Sequence, residues 1–204
     1  MRAILASASP ARLKTLRDAG VDPVVMVSGV DESQVGDLAP ADLALTLARM
    51  KGEAVERRLG SADIGDRAIL VAADSVLELG GATYGKPGSA AEATARWRAM
   101  RGGSGVLHTG HLVVDLPAGR RVLRQARTVV HFAEPTDAEI DAYVATGEPL
   151  EVAGAFTIDG RGGAFVTSIE GDHHNVVGLS LPLLRTMLAE LDLTWTDLWS
   201  PAVV

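Results

Sequence analysis

The chain has 204 residues, of which 47% are hydrophobic and 22% charged, and its formal net charge is −7. This composition is typical of a globular protein with a core, and the acidic balance argues against a polynucleotide partner, because domains that bind DNA or RNA usually present a basic face. The absence of cysteine excludes disulfides and thiolate metal sites. No apolar run approaches the about 18 residues of a membrane span, and none near the amino terminus has the length of a signal-peptide core. We therefore expect a cytoplasmic protein with no membrane partner.

Helix and strand signals alternate along the chain, which favours the α/β class. The predicted helices cover residues 9–19, 41–59, 90–102, 136–147 and 181–191, with N-caps at Ser9 and Thr136. The predicted strands cover residues 2–6, 23–28, 68–73, 105–116, 127–135 and 163–172, and a hairpin with a Gly-Gly turn is expected at 75–85. Because hairpins join neighbouring antiparallel strands, we expect a mixed rather than a purely parallel sheet.

The stretch "LASASPAR" leads from the first predicted strand into the first predicted helix. Ser9 suits the N-cap position, but Ser7 is left without a capping role. Arg12 lies in the first helical turn, where a cation opposes the helix dipole. This position makes more sense if Arg12 helps to hold an anion at the helix N-terminus. The stretch therefore indicates either a plain helix cap or a phosphate site.

Other charged side chains stand where the pattern predicts burial or a strand end. Residues 43, 47, 55 and 59 form an apolar i, i+4 series that Lys51 interrupts. Either the Lys51 side chain snorkels, with its stem along the apolar surface and its ammonium in solvent, or its ammonium is a cation held in a cleft. Asp74 directly follows the predicted strand 68–73, where ligand sites of α/β proteins collect. It is a candidate general base or metal ligand, or a turn cap. Asp31 and Glu32 follow another predicted strand and are candidate metal ligands or solvated loop charges.

The stretch "GGATYGKP" matches the phosphate-binding P-loop pattern G-x-x-x-x-G-K-[ST] in all but its last residue. Pro87 offers no hydroxyl for Mg²⁺, and the glycines fit a hairpin turn better than a phosphate-cradling loop. We therefore reject a P-loop and keep Lys86 as a candidate phosphate ligand.

The histidines and tryptophans are weaker candidates for a site. His108 and His111 read H-x-x-H, but residues i and i+3 of a strand point to opposite faces, so they are not expected to share a metal. The tandem His173 and His174 is also expected to face two ways, and no histidine receives a role. The tryptophans are expected in the core rather than in a base-stacking platform: Trp97, Trp195 and Trp199.

These motifs occur in an order that resembles the Maf family of nucleoside triphosphate pyrophosphatases. The resemblance spans nearly the whole chain and rests on "LASASPARL", "VDE", the helix with Lys51, "AADS", "YGKP", "YVATGEPLEVAGAFTIDG" and "IEGDHHNVVGLSLPLL". It implies a Maf/ITPase-like α/β fold, in which an extended mixed β-sheet has helices on both sides. It also implies that residues 1–204 form a single domain of two lobes around a central cleft, either monomeric or homodimeric.

The resemblance further implies an activity and the residues that carry it. The activity is hydrolysis of a nucleoside triphosphate to the monophosphate and pyrophosphate, with Mg²⁺, Mn²⁺ or Co²⁺ as the divalent cation. The family's proton acceptor corresponds to Asp74, and its metal-binding residues correspond to Glu32 and Asp74. Its phosphate-binding residues correspond to Ser7, Arg12, Lys51 and Lys86.

The chain departs from the family at three positions that bear on base specificity. Family members that act on dTTP and UTP carry Arg, Thr and Gln where this chain has Ala11, Ser75 and Asp159. The 7-methyl-GTP branch carries Trp and an acidic residue at the first and last of these positions, and this chain shares only the acid. An ionised Asp accepts hydrogen bonds but cannot donate, so Asp159 suits a purine such as 7-methyl-GTP better than a thymine carbonyl. The alternative function is a non-catalytic nucleotide-binding regulator of cell division or septum formation.

Overall fold

The longer helices form where the local signals predict them. The structure is a computed structural model that describes residues 1–32, 35–60 and 67–200. Its helices are Pro10–Asp18 (α1), Pro40–Glu56 (α2), Ala90–Met100 (α3), Asp137–Ala145 (α4), His173–Val177 (α5) and Leu181–Glu190 (α6). Ser9 and Thr136 cap α1 and α4 as predicted, and Thr136 forms a capping box with Glu139. The short helix α5 was not predicted.

The described strands form one mixed sheet. They are Arg2–Leu5 (β1), Val24–Val25 (β2), Ala68–Leu79 (β3), Ala82–Tyr84 (β4), Ser104–Asp115 (β5), Arg120–Phe132 (β6) and Val166–Glu170 (β7). The strand order is β2-β1-β3-β5-β6-β7, and β4 pairs with β3. β1 pairs in parallel with β2 and β3, whereas the remaining pairs are antiparallel. The predicted α/β class with an extended mixed sheet is confirmed.

Strand β3 is longer than predicted, which changes the position of Asp74. The prediction ended this strand at residue 73, but β3 continues without a break to Leu79 because β5 pairs with it from Ile69 to Glu78. Asp74 therefore lies inside a strand, and the expectation that it follows the strand end is wrong. The predicted hairpin between β3 and β4 is confirmed, and its turn residues Gly80 and Gly81 have φ angles of +58° and +82°.

Two other expectations need correction. The strand predicted at 23–28 is limited to Val24–Val25, because β1 contributes only Ile4 and Leu5 to the pairing. Trp97 is fully buried and Trp195 packs against the core, but Trp199 is 54% exposed and is not a core residue.

Helices cover both faces of the sheet, as predicted. On one face, Val55 of α2 packs with Leu70 and Leu112. The opposite face packs against Leu16 of α1 and Leu184 of α6 at one end, and against α3 and α4 at the other. The division of residues 1–204 into two lobes of one domain stays a prediction. Among the described residues, none of the helices combines the length and the apolar composition that a membrane crossing needs.

Candidate active site

The parallel part of the sheet ends beside Asp74. The last backbone hydrogen bond there runs from the amide of Ala6 to the carbonyl of Val71 at 2.8 Å, and the chain then leaves the sheet through Ser7 towards α1. Asp74 and Ser75 follow on β3, where β1 no longer covers its edge. Because successive strand residues point to opposite faces, Asp74 and Ser75 reach different helices. The site thus lies at the carboxyl end of β1, although Asp74 itself is inside β3.

Lys51 joins two of the predicted acidic residues. Its Nζ forms an ion pair with Oδ2 of Asp74 and another with Oε1 of Glu32, at 2.7 Å for the second. The side chains of Lys51 and Asp74 are only 16% and 10% exposed. Since a buried charge needs a partner, this pairing explains how a lysine is accommodated in the apolar face of α2. The geometry agrees with a cation held in a cleft and disagrees with a lysine that snorkels to solvent.

Arg12 is held by three acceptors from distant parts of the chain. Its Nη1 donates to Oγ of Ser7 at 3.3 Å, its Nη2 to Oγ of Ser75 at 3.0 Å, and its Nε to the carbonyl of Gly178 at 2.8 Å. Burial lowers the pKa of Arg12 below its ordinary value, while the nearby charges of Asp74 and Glu32 oppose this effect. A guanidinium keeps its charge in proteins, so the site holds a fixed cation with a set orientation.

Ser7 lies between these two groups and lines a cavity. Its Oγ accepts a hydrogen bond from the amide of Ser9 at 3.1 Å as well as the one from Arg12. The cavity has a volume of about 200 Å³ and is also lined by Ala8, Glu32, Lys51 and residues 27–30. Ser7 and Lys51 therefore line a space where an anion would meet a positive charge, and Arg12 is connected to this space by its hydrogen bond to Ser7.

Lys86 is separate from this cluster. Its Nζ lies 3.9 Å from Oε2 of Glu151, and its side chain is 65% exposed. Within the described ranges, no hydrogen bond or ion pair joins it to Arg12 or Lys51. The structure thus brings together two of the three predicted cations, and the phosphate-binding role of Lys86 stays a prediction.

A second cavity lies beside α1, with a volume of about 390 Å³. Asp159 lines it, together with Lys14, Thr15, Asp18, Ala19, His173, His174, Val177 and Leu181. Ala11 shares the face of α1 that carries Lys14 and Thr15, because residues three and four apart on a helix are neighbours. His173 and His174 both line the cavity, so the expectation that they face two ways is wrong. Ser75, the third predicted specificity residue, instead contacts Arg12.

The residues that would hold a divalent cation are Glu32 and Asp74. In the part of the chain that the structure describes, no cluster of three or more His, Asp or Glu side chains is arranged to hold a metal ion. Two carboxylates nevertheless already converge on one positive charge, that of Lys51. This donor set fits Mg²⁺, which proteins often bind through one or two carboxylates plus phosphate oxygens of a substrate.

Several residues that support the site had no role in the sequence-based predictions. Oγ1 of Thr109 lies 2.9 Å from Oγ of Ser75 and also donates to the carbonyl of Asn175 at 3.4 Å. His111 is fully buried, and its Nε2 accepts a hydrogen bond from the amide of Ser180 at 2.9 Å. His108 and His111 point to opposite faces of β5, as predicted: His108 contacts Glu78 on one face, and His111 contacts Ser180 on the other. A histidine directly before the apolar run 112–114 was the available signal for His111, but its partner could not be identified from sequence.

The fold and this site together define a class of protein: an α/β protein in which Lys51, two carboxylates and a nearby buried Arg12 lie at the carboxyl end of the first strand, where α/β proteins bind their ligands. A family model described as Maf-like protein matches residues 2–191. The chain belongs to this family, which confirms the resemblance inferred from its motifs.

Curated relatives match over nearly their whole length. A protein of Salinispora tropica is 59% identical over 200 residues, which cover 98% of this chain and 88% of the relative. One of Streptomyces coelicolor is 56% identical over 201 residues, covering 98% and 96%, and one of Gloeothece citriformis is 50% identical over 196 residues, covering 96% and 97%. Each of the three is named nucleoside triphosphate pyrophosphatase.

Proposed function

We propose that this protein hydrolyses nucleoside triphosphates to the monophosphate and pyrophosphate, with Asp74 as the proton acceptor. The observation that carries the proposal is the ion pair of Lys51 with a nearly buried Asp74 beside a cavity that Ser7 also lines, with Arg12 held against Ser7. The names of the relatives support the same reaction. The function belongs to the hydrolases that act on phosphorus-containing acid anhydrides.

The reaction needs a base and neutralisation of the phosphate charges. A water molecule attacks the α-phosphorus, its proton passes to a carboxylate oxygen of Asp74, and the bond from the α-phosphorus to the bridging oxygen of the β-phosphate breaks. Arg12 and Lys51 offset the charge that develops on the phosphate oxygens, and Lys86 contacts the triphosphate from its own loop. Lys51 has three N–H donors, so it can bind phosphate and still contact Glu32.

A divalent cation is part of the proposal. Glu32 and Asp74 would hold it together with oxygens of the triphosphate, and Mg²⁺, Mn²⁺ or Co²⁺ would polarise the phosphoryl group when bound. Both carboxylates contact the ammonium of Lys51, so a bound metal ion would compete with Lys51 for the same carboxylate oxygens.

A nucleotide panel with identified products tests the reaction. We expect wild type to release pyrophosphate and monophosphate in the presence of a divalent cation, and Asp74→Asn to lower kcat by about 10²- to 10⁴-fold, because the amide cannot accept the proton of water. Glu78→Gln is the matched control, since Glu78 lies on the same strand and face but contacts His108. Full activity of Asp74→Asn would remove the assigned base. Nucleotide binding without turnover would favour the regulator, and orthophosphate as first product would favour γ-phosphate cleavage.

We further propose that Asp159 reads the base and that it favours a purine such as 7-methyl-GTP over dTTP or UTP. Asp159 is an exposed acceptor on the wall of the larger cavity, which Lys14 also lines. The ammonium of Lys14 forms an ion pair with Asp18 at 2.5 Å, which raises the pKa of Lys14, and the charge of Asp159 adds to this rise. One donor beside one acceptor complements a guanine edge, which offers a carbonyl next to N–H groups.

The replacement Asp159→Gln tests base selection. Because Gln can donate as well as accept, we expect the ratio of kcat/KM for purine over pyrimidine triphosphates to fall on the order of tenfold. Asp141→Asn provides the control and is expected to keep the wild-type ranking, since Asp141 is exposed on α4 and is not among the residues that line this cavity. An unchanged ranking of substrates in Asp159→Gln would exclude Asp159 from base recognition.

A further inference from the structure

The carboxylate of Glu148, which follows α4, holds the loop that carries Asp159 (residues 157–162). It accepts four hydrogen bonds, three of them from this loop. Its Oε1 accepts from the hydroxyls of Tyr143 at 3.0 Å and Thr157 at 2.5 Å and from the amide of Gly162 at 3.1 Å, and its Oε2 accepts from the amide of Arg161 at 3.2 Å. A carboxylate offers about four acceptor positions, and these donors use both oxygens of Glu148, with three of the four bonds on Oε1.

Glu148 remains ionised in this position. Burial tends to raise its pKa, but the hydrogen bonds from Thr157, Gly162, Arg161 and Tyr143 outweigh burial and lower the pKa below its usual value. Hydrogen bonds to an ionised acceptor are roughly twice as strong as neutral ones. The loop is therefore held on both sides of Asp159, at Thr157 before it and at Arg161 and Gly162 after it.

Among the described residues, no hydrogen bond of the Asp159 carboxylate helps to hold the loop. Its residue is exposed, and it lines the cavity that also contains Lys14. A short loop anchored two residues away on either side leaves Asp159 little freedom of position. A side chain that selects between bases must be held to within about 0.5 Å, which requires support from its neighbours.

We propose that Glu148 is a positioning residue for base selection: it fixes the 157–162 loop so that the carboxylate of Asp159 faces the base across the cavity from Lys14. This inference rests on the proposed role of Asp159 in base recognition. Glu148 acts through Asp159, and the phosphate cluster around Arg12 is built by other elements.

The first test measures the kcat/KM ratio of two nucleotides in the variant Glu148→Gln. Its amide keeps the size of the side chain but places an NH₂ group against donors, so at least one loop anchor is lost. We expect the kcat/KM ratio of 7-methyl-GTP over UTP to fall about tenfold, mainly through a higher KM for 7-methyl-GTP. Asp141→Asn, which removes an exposed charge from α4, is the control and is expected to keep the wild-type ratio.

A double-mutant cycle separates positioning from general structural support. In an Asp159→Ala background, we expect Glu148→Gln to change the substrate ratio no further, because the residue that it positions is absent. A variant that lowers Tm and reduces kcat/KM equally for both nucleotides, with an unchanged ratio, would show a structural role and overturn the inference.

A milder variant keeps the inference testable if Glu148→Gln does not fold. Tyr143→Phe removes one donor to Glu148 and preserves the ring that packs edge-on against Trp97 and Phe165. We expect a shift of the ratio in the same direction of about threefold, and an unchanged ratio overturns the inference. If Asp159→Ala shifts the ratio and the Glu148 and Tyr143 variants do not, the inference alone fails. If wild type releases no pyrophosphate, the proposed function fails. If Asp159→Ala leaves the ratio unchanged, the base-recognition role of Asp159 fails. In either case the inference about Glu148 fails as well.

Discussion

At the scale of single residues, the orientation of Arg12 depends on a buried histidine that it does not contact. Nε of Arg12 donates to the carbonyl of Gly178, and two residues later the amide of Ser180 donates to Nε2 of His111. The other ring nitrogen, Nδ1, lies 3.0 Å from the carbonyl of Thr109, so the ring is neutral with its proton on Nδ1. His111 thus fixes the turn that supplies one of the three acceptors of Arg12.

This histidine predicts a loss of stability in mild acid. Burial and the charge of Arg12 lower the pKa of His111 from 6.5 to about 4, so the unfolded chain binds the proton more readily than the folded one. The contribution of neutral His111 is complete above about pH 6.5 and is lost as the pH falls towards 4, which amounts to about 2 kcal/mol between pH 8 and pH 5. Urea unfolding at both pH values should show this extra loss in wild type and its absence in His111→Gln. Equal losses in the two proteins would exclude His111 as the cause.

At the scale of secondary-structure elements, the contact between α2 and the sheet sets the position of Lys51. Helix α2 crosses β3 and β5 so closely that a Cβ atom at Gly110 would lie 2.2 Å from the carbonyl oxygen of Ala44. Gly110 pairs with Asp74 in the register of β5 and β3. The absence of a side chain at Gly110 therefore lets the helix that carries Lys51 approach the strand that carries Asp74.

The replacement Gly110→Ala tests this contact. The added methyl group meets backbone rather than a flexible side chain, so α2 must move away from the sheet. We expect a loss of about 1–3 kcal/mol in the free energy of unfolding, and a fall of about tenfold or more in kcat/KM because Lys51 is displaced. Gly36→Ala is the control, since a Cβ atom there meets none of the described residues within 4 Å. Wild-type stability and activity in Gly110→Ala would show that the helix position has no such influence.

Local signals predicted the helices better than the strands. Ser9 and Thr136 cap α1 and α4 because capping needs only residues within one turn. The Gly-Gly turn marks the end of β3 at Leu79, but the continuity of the strand through Asp74 depends on pairing with β5, which is distant in the chain, so no local pattern joins residues 68–73 to 75–79. The same limit explains why the break predicted at Asp74 was wrong.

At the scale of the whole molecule, the β1–α1 unit borders both cavities. Ser7, in the connection between β1 and α1, lines the smaller cavity beside Lys51, and Lys14, within α1, lines the larger cavity with Asp159. Arg12 lies between them on the same helix. This arrangement supports a nucleotide whose phosphates contact one side of the unit and whose base occupies the other.

The sequence by itself determined the family, the residue types of the site and the helices that carry them. Ser7, Arg12 and Lys51 could be singled out because each departs from a local rule of capping, dipole or apolar periodicity, and Asp74 because it follows an apolar run. Only the tertiary structure decided which of these side chains meet: it pairs Lys51 with Asp74 and Glu32, and it leaves Lys86 beside Glu151. It also decided the anchoring of the Asp159 loop by Glu148 and the contact of His111 with Ser180. The physical reason is that local propensity acts within a few residues, whereas these contacts form between segments that only the folded sheet and its helices bring together.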